Sequence, residues 1–382
     1  VRRLCIFAAC GSPDDPNVPG LGDLITKNVV LEMLVSEYPQ ASITVVADAR
    51  LLARFRAWLL AHAHVDELIE CPEPETASLR QWVTFLRAMR RRRFDVCVID
   101  AGSRFLRGFQ AYLCGIPVRV GLPADDREVP FLTRRVVLQP FNGRHADLLD
   151  FARGYGEALD VRLPITPERL TPRLRFEPEA IIAPEPGRPA VVIHAGGKQN
   201  WNRRWPLDRY AEICRRLCAD YGAIVYLVGG AEDRPESARL LADVKRRWPA
   251  APVHDVCGGT INTMVNYLDA AWLFVGNDSA PMHMAAALGR RVVVVCGPTA
   301  PDSWERMYPG AAVSRRYACQ GGSPFVARRD LEQRYSCAEH ACPYAYDAER
   351  PAYPRCLIDV SVDAVWAAVV AQFQLVAPSA RA

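Results

Sequence analysis

The chain has 382 residues, more than one domain of roughly 100–200 residues, so two α/β domains or one large one are expected and a small stapled scaffold is excluded. With 50% hydrophobic and 24% charged residues it has globular composition, which excludes global disorder, and 13 cysteines are too sparse for a disulfide scaffold. The net charge of +4 implies no strong nucleic-acid or anionic-membrane field, and the positive charge is nearly all Arg, with Lys27, Lys198 and Lys245 the lysines, a bias that reads as GC-rich coding.

Residues 3–10 form an apolar run that ends in a Gly/Pro/Asp loop over 11–22, the pattern of a buried parallel strand. Apolar residues at helical spacing from Asp23 to Tyr38 predict a helix stopped by Pro39, and Ser42 to Ala47 a second strand, which completes a βαβ unit. Helical patterns over 51–63 and 78–93 and a strand over 95–99, ending at Asp100, extend the alternation. Seven prolines from Pro164 to Pro189 mark an interdomain linker, assigned to 166–189, between a first domain over 1–165 and a second over 190–360.

The alternation restarts with strand 190–194, helix 207–221, strand 223–228, helix 237–248, a short strand near Val253, helix 261–270, strand 272–275, helix 281–288 and strand 291–296. The expected fold is α/β, with two Rossmann-like doubly wound domains facing a central cleft, where strand C-terminal ends gather ligands. No run approaches the ~18 apolar residues of a spanning helix. The chain also opens on a strand-like segment without a leader pattern, so it reads as cytoplasmic, with no transmembrane segment.

Residues 275–283, Val-Gly-Asn-Asp-Ser-Ala-Pro-Met-His, run from a strand end into a helix start, where unpaired N–H groups and a partial positive charge suit a diphosphate. Pro281 fits the first helical turn, and Asp278 or Ser279 can serve as N-cap; on this simpler reading they only cap the helix and His283 packs in the core. Neither domain opens on Gly-x-Gly-x-x-Gly and there is no Walker sequence, which counts against dinucleotide redox and NTP hydrolysis.

The stretch from Asn277 through Asp278, Ser279, Ala280, Met282 and His283 to Gly289, followed by Gly297-Pro298-Thr299, resembles the donor-site signature of the ADP-heptose heptosyltransferases, glycosyltransferase family 9. His194-Ala195-Gly196-Gly197 with Arg203-Arg204-Trp205-Pro206 is similar to that family's second-domain opening. Gly20-Leu21-Gly22-Asp23 resembles its first-domain loop, and residues 115–121 also match. The resemblance implies a GT-B architecture and inverting transfer of a sugar, heptose first, from a nucleotide diphosphate donor, ADP first, to a hydroxyl acceptor. Two positions depart from the family pattern, Ala280 standing where it has Gly and Arg203 where it has Lys.

Inverting transfer needs a base for the acceptor hydroxyl and charge stabilisation for the leaving diphosphate. The resemblance gives Asp23 as base, its alternative being an N-cap, with Asp100 the runner-up. Arg203 would stabilise the leaving group with Lys198 and Arg204 as neighbours, and His194, Gly196, Gly197, Asp278, Ser279, Ala280, Met282 and His283 would shape the donor site. Glu232 follows a strand where α/β nucleotide sites place an acid against ribose, a role Asp233 could also take. The competing readings are transfer of another hexose from a GDP- or other NDP-sugar in secondary-metabolite or glycan pathways, and a non-catalytic nucleotide-sugar-binding protein. Neither the acceptor, whether glycan, small molecule or protein, nor the oligomeric state has a motif.

The transfer so implied requires no cofactor. Cys319, Cys337, Cys342 and Cys356 nevertheless fall in a segment with no apolar period, at gaps of 17, 4 and 13 residues. Four thiolates there suit a structural zinc or iron that replaces a core, His340 being able to substitute for one, with free thiols or a disulfide as the alternative. Some members of the resembled family carry cysteines here, and a subset that modifies proteins uses them for metal. A C-terminal helix within 361–382 is expected to cross back to the first domain.

Overall fold

A computed structural model of the chain describes residues 3–8, 21–49, 51–53, 56, 59, 64–72, 76–99, 106–123, 126–127, 129–139, 146–171, 173–182, 186–197, 203–297, 301, 304–315, 317 and 353–376. The chain divides into two compact units, with the boundary at Arg175/Phe176, inside the proline-rich segment.

The first unit carries strands β1 (Arg3–Phe7), β2 (Ser42–Ala47), β3 (Glu67–Glu70), β4 (Val96–Ile99), β5 (Val118–Gly121) and β6 (Arg134–Arg135), all parallel, in the order β3-β2-β1-β4-β5-β6. Its helices are α1 (Leu21–Glu37), α2 (Leu79–Arg92), α3 (Leu106–Leu113), α4 (Leu148–Leu159) and the single turn α5 (Pro167–Leu170). The central strands are runs of Val, Ile, Leu, Cys and Phe without polar alternation, as expected where helices cover both faces of a parallel sheet. Capping boxes start α2 (Ser78 with Gln81) and α4 (Asp147 with Asp150), satisfying backbone N–H groups the helices cannot use themselves.

The second unit repeats the plan. Strands β7 (Ala190–His194), β8 (Ile224–Leu227), β9 (Val253–Asp255), β10 (Leu273–Asn277), β11 (Arg291–Cys296) and β12 (Gly310–Ser314) form a parallel sheet ordered β12-β11-β10-β7-β8-β9. Its helices are α6 (Leu207–Tyr221), α7 (Arg234–Arg247), α8 (Ile261–Ala270), α9 (Ala280–Ala287), α10 (Arg355–Ile358) and α11 (Val362–Val376). Counted from its own first strand, each sheet has the order 3-2-1-4-5-6, so the chain reverses direction between β1 and β4 in one and between β7 and β10 in the other. Such reversals open the crevice where doubly wound sheets bind ligands.

The structure departs from the sequence expectations in several places. Helix α1 starts at Leu21, two residues before Asp23, and α7 starts at Arg234, with Pro235 in its first turn. Strands β3, β5, β6 and β12 and helices α3 and α4 are additional. The strands are short and only half-buried in part, and what fixes them is hydrogen bonding to a neighbouring strand, which local periodicity does not report. Of the helix expected over 51–63, the described residues 51–53, 56 and 59 are helical. Helix α11 buries Val365, Val369 and Phe373 in the second unit's core and packs on β11 and β12. Its apolar face is matched by the sheet edge beside it. The proline-rich segment is also docked: the backbone N–H groups of Glu177 and Glu179 donate to Asn262 and Asn266 of α8 at 3.0 and 2.9 Å, and the N–H of Ile182 donates to the Tyr267 hydroxyl at 3.2 Å.

Candidate functional site

The β7/β10 reversal brings together the two segments singled out in the second half of the sequence. Strand β7 delivers His194-Ala195-Gly196-Gly197, and β10, its direct neighbour, delivers Asn277-Asp278-Ser279. Asn277, fully buried, fastens them. Its Nδ2 donates to the carbonyls of Ala195 and Gly196 at 3.0 and 2.8 Å, while its Oδ1 accepts from the Trp205 N–H at 3.1 Å and the Tyr210 hydroxyl at 2.8 Å. The Arg203-Arg204-Trp205-Pro206 segment is thereby fixed to the same edge. Trp205, also fully buried, donates its indole N–H to Val360 O at 3.0 Å and stands edge-on to Tyr210 at 5.0 Å.

Ser279 occupies the N-cap position of α9, yet its hydroxyl does not cap the helix. It lies 2.9 Å from His194 Nδ1 and 3.2 Å from Asn277 O. Pro281 has no N–H and the Met282 N–H donates to Ser279 O at 3.1 Å. The helix start therefore keeps the N–H groups of its first positions, Ser279 and Ala280, outside its own ladder, the arrangement that suits an anion. Ala280 stands in the first helical turn, and the positive-φ non-glycine residues among those described are Arg93 and Asp160, so its Cβ brings no backbone strain.

Behind Ser279 a buried polar chain continues to the loop after β8. His194 Nε2 lies 3.3 Å from Asp233 Oδ2, and Asp233 also accepts from Gly197 N–H at 3.1 Å and Gly230 N–H at 2.9 Å. Burial pushes the Asp233 carboxyl up, but the hydrogen bond and charge of His194, with the two backbone donors, outweigh it and hold the group below its ordinary value. The glycines of this corner make room for that carboxylate. A Cβ on Gly196 would stand 2.0 Å from Asp233 Oδ1, and one on Gly229 2.7 Å from its Oδ2. A cavity of about 10 Å3 lined by Gly196, Asp233, Ser237 and Cys257 lies at the same corner, space for about one water and not for a ligand.

The remaining predicted residues fall into three groups. Glu232 is exposed beside the inward-turned Asp233, so the two acids take opposite directions and Glu232 is the one presented to solvent. Arg204 donates from Nε and Nη2 to Gly197 O at 3.1 and 2.9 Å and pairs through Nη1 with Glu236 at 2.6 Å, so its fork braces the glycine loop. Arg203 is half-buried next to it. Met282 has no exposed surface, while Asp278 and His283 are buried and 3.9 Å apart, His283 Nδ1 lying 3.2 Å from the Tyr308 hydroxyl. His283 thus packs against Tyr308 at the helix start.

Lys198 and Asp100 lie outside the described residues, Asp100 directly after β4. Asp23 is the third residue of α1, which is not the N-cap position, and its side chain lies outside the description. Cys319, Cys337, Cys342 and His340 also lie outside it, whereas Cys356 is buried in the second unit's core with Leu357 and Val360. Among the described residues no cluster of three His, Cys, Asp or Glu could hold a metal, and no helix is long and apolar enough to cross a membrane. Sequence reasoning gave Asp233 only the alternative ribose role and Asn277 only a place in the signature, not the part of organising the corner; the sign that could have found it was a polar side chain at the end of an otherwise apolar strand and a second acid three residues after a Gly-Gly pair.

Comparison with known proteins agrees with this layout. Lipopolysaccharide heptosyltransferase 2 of Escherichia coli is 27% identical over 295 residues, covering 74% of this chain and 81% of that protein. The solved structure of E. coli ADP-heptose LPS heptosyltransferase II superposes with a TM-score of 0.66 at 20% identity, covering 98% of this chain and 99% of that one. That of E. coli heptosyltransferase WaaC with ADP gives 0.57 at 18% identity, covering 80% and 91%. These likenesses establish the shared GT-B fold of two doubly wound units. The profile of glycosyltransferase family 9 (heptosyltransferase) matches residues 82–334, well over half of the sequence and all of the corner built by His194, Asn277 and Ser279, and the chain belongs to that family of glycosyltransferases.

Proposed function

We propose that the chain transfers a heptose from ADP-heptose, with inversion, to a hydroxyl of a glycan acceptor, acting in the cytoplasm. The observation that carries this reading is the N-cap serine that leaves its helix uncapped, at the reversal of the second sheet, beside the His194–Gly197 loop. A serine there would ordinarily satisfy an N–H of the helix, a contribution of about 1 kcal/mol. Here that contact is not made, and the helix start is kept for an anion. On this reading the diphosphate meets Ser279 and the helix start with Arg203 as the cationic partner, Glu232 takes the ribose hydroxyls, and Asp278 faces the sugar. Asp23 takes the proton of the acceptor hydroxyl as it attacks the anomeric carbon, and the bond to the diphosphate breaks with its electrons going to phosphate. Arg204, braced by Gly197 and Glu236, holds the glycine loop beside the diphosphate.

Calorimetry with ADP, GDP and UDP tests the donor. ADP should bind and the other two should bind more weakly; binding of GDP or UDP without ADP would replace the ADP-heptose reading with transfer of another sugar. Asp23→Ala should lower turnover by about 100-fold or more with little change in ADP affinity, as for loss of a general base. Loss of activity in Asp100→Ala with an active Asp23→Ala would move the base to Asp100.

A further inference from the structure

Helix α2 and its left-handed cap residue Arg93 contain six arginines, Arg80, Arg87, Arg90, Arg91, Arg92 and Arg93, and no Asp or Glu. Phe85 and Met89 are buried in the first unit's core with Trp82 and Leu86 packed beside them, which fixes the side of the helix that faces inward. At about 100° per residue, Leu79, Arg80, Val83, Arg87, Arg90 and Arg91 fall within an arc of about 120° centred opposite Phe85. The four arginines of that arc are exposed, Leu79 is 80% exposed and Val83 is half-buried. Arg92 lies on the other side and pairs with Glu67. Among the described residues none of the four outer arginines is paired with a carboxylate, Arg90 donating from Nε to the Leu113 carbonyl at 3.1 Å.

The other arginine-bearing helices are built differently. In α6 Glu212 pairs with Arg215 and Arg216, and in α7 Asp243 pairs with Arg246 and Arg247, each acid one turn from its partners. The helix macrodipole accounts for arginines in the last turn of α2, Arg90 to Arg92, but not for Arg87 or for Arg80 near the positive end. Arg87 also stands three and four residues from Arg90 and Arg91, spacings at which like charges weaken a helix. A face that weakens its own helix, and leaves a leucine in water, fits a partner of opposite charge outside the chain.

Aliphatic Leu79 and Val83 stand among the arginines, and no aromatic ring lies on the arc to stack on a base, so the face suits the edge of a bilayer better than a nucleic acid. Arginine stems lie along apolar surface while their guanidinium groups stay at the level of headgroup phosphate. The whole-chain charge of +4 averages over this concentration, whereas a surface within a Debye length of ~10 Å meets the local arc. We propose that the outer face of α2 docks the first unit on a membrane surface that bears anionic phospholipid, with Arg80, Arg87, Arg90 and Arg91 on headgroup phosphates and Leu79 entering the interface. The contact is peripheral, one apolar side chain supported by a basic patch, and needs neither donor nor acceptor.

The test is co-sedimentation of the full chain, without nucleotide, with vesicles of phosphatidylcholine alone and of phosphatidylcholine containing phosphatidylglycerol. The chain should partition onto the anionic vesicles and not onto the neutral ones, and its partition coefficient should fall by about tenfold or more between about 0.05 M and about 0.5 M salt. Each arginine near the surface contributes about fivefold, so Arg80→Gln, Arg87→Gln and Arg91→Gln together should weaken partition by about 100-fold and Arg87→Gln alone by about fivefold. Glutamine keeps the helix propensity at these exposed positions, and the single variant keeps the test decisive if the triple variant does not fold. Leu79→Gln should weaken partition several-fold at either salt concentration. Arg246→Gln with Arg247→Gln on α7 removes two exposed charges elsewhere and should change partition by less than about twofold. No partition onto anionic vesicles at low salt, equal partition onto neutral ones, or a loss in the α7 variant as large as in the α2 variants would overturn the inference. Binding of a single-stranded oligonucleotide or of polyglutamate through the same arginines, without vesicle binding, would overturn it in favour of another polyanion. Each of these outcomes is read without ADP, so failure here leaves the donor site standing, and failure of the donor site leaves the docking face standing.

Discussion

Asp233 shows how one buried carboxylate organises a site it does not enter. Its depressed pKa means that the folded chain holds the ionised form more tightly than the unfolded chain does. The resulting stabilisation is present above its ordinary value of 3.8 and is lost as pH falls through the lower folded value. Asp233→Asn should therefore lower stability at neutral pH by about 1–3 kcal/mol, the range for breaking a buried polar pairing. It should also flatten the loss of stability as pH falls below 3.8, where the native carboxylate protonates later than the unfolded one. Urea unfolding of both proteins across that range, followed by tryptophan fluorescence, measures it; an unchanged acid limb in the variant would show that Asp233 is not the group responsible. Gly196 belongs to the same argument. Gly196→Ala places a methyl 2.0 Å from the Asp233 carboxylate and should cost about 1–3 kcal/mol of stability, as overpacking does, while also weakening ADP binding. Reversal of that loss in the double variant with Asp233→Ala, seen in the melting temperature, would confirm the clash as its cause.

At the level of elements, one side chain connects two strands and a helix. Asn277 ends β10, yet its amide reaches the loop after β7 and the entry to α6. Truncation strands the Trp205 N–H, the Tyr210 hydroxyl and two carbonyls in a buried corner, so Asn277→Ala should destabilise the second unit by several times the ~1 kcal/mol of an ordinary hydrogen bond. Asn277→Asp keeps the acceptor for Trp205 and Tyr210 but loses both donated bonds, and should fall between. Hydrogen exchange resolved to peptides 190–210 and 270–290 should show the loss of protection there and not in β1, β2 or β4. The two helix starts at this edge also differ for a physical reason. Thr260 caps α8 by accepting from the Thr263 N–H at 3.0 Å, whereas Ser279 of α9 is diverted to His194. Residue type at the cap is the same in kind; what lies across the sheet decides which bond forms.

For the whole molecule, the cysteine-rich segment carries the outstanding prediction. We expect one structural metal, zinc ahead of iron, held by Cys319, Cys337, Cys342 and Cys356, with His340 able to substitute for one of them. The segment lacks the apolar period that would offset its conformational entropy by burial. Cys356 is buried among Leu357, Val360 and the α11 face, at the wall of the second unit's core. Purified protein without a histidine tag should hold close to one equivalent of zinc plus iron. Chelation should lower the melting temperature before it lowers turnover. A metal content far below one with the thiols titratable would return these cysteines to plain thiols.

Much of the architecture was legible in the chain itself, because buried parallel strands are continuous runs of Val, Ile and Leu and the helices between them carry a 3.6-residue apolar period; β7, β10 and β11 and helices α6 and α8 follow from that alone, while α9, apolar on every side, was marked by Pro281 at its start. The segments His194–Gly197 and Asn277–His283 were equally readable, since a strand end that runs through Gly, Asp and Ser into a helix start has a local chemistry. Three matters were decided only in the folded chain. Short strands such as β3 and β12 exist because a neighbour pairs with them, and α11 lies on the second sheet because an apolar face there fits it. The same holds for polar partners. A sequence states that Ser279 can cap, that Arg204 is cationic and that Asp233 and Glu232 are both acids; the sheet order sets His194 against Ser279, Gly197 and Glu236 against Arg204, and Asp233 inward with Glu232 outward. A hydroxyl, a guanidinium or a carboxylate has several bonds open to it in the unfolded chain, and which one it makes depends on groups tens of residues away that tertiary packing alone brings to 2.9–3.3 Å.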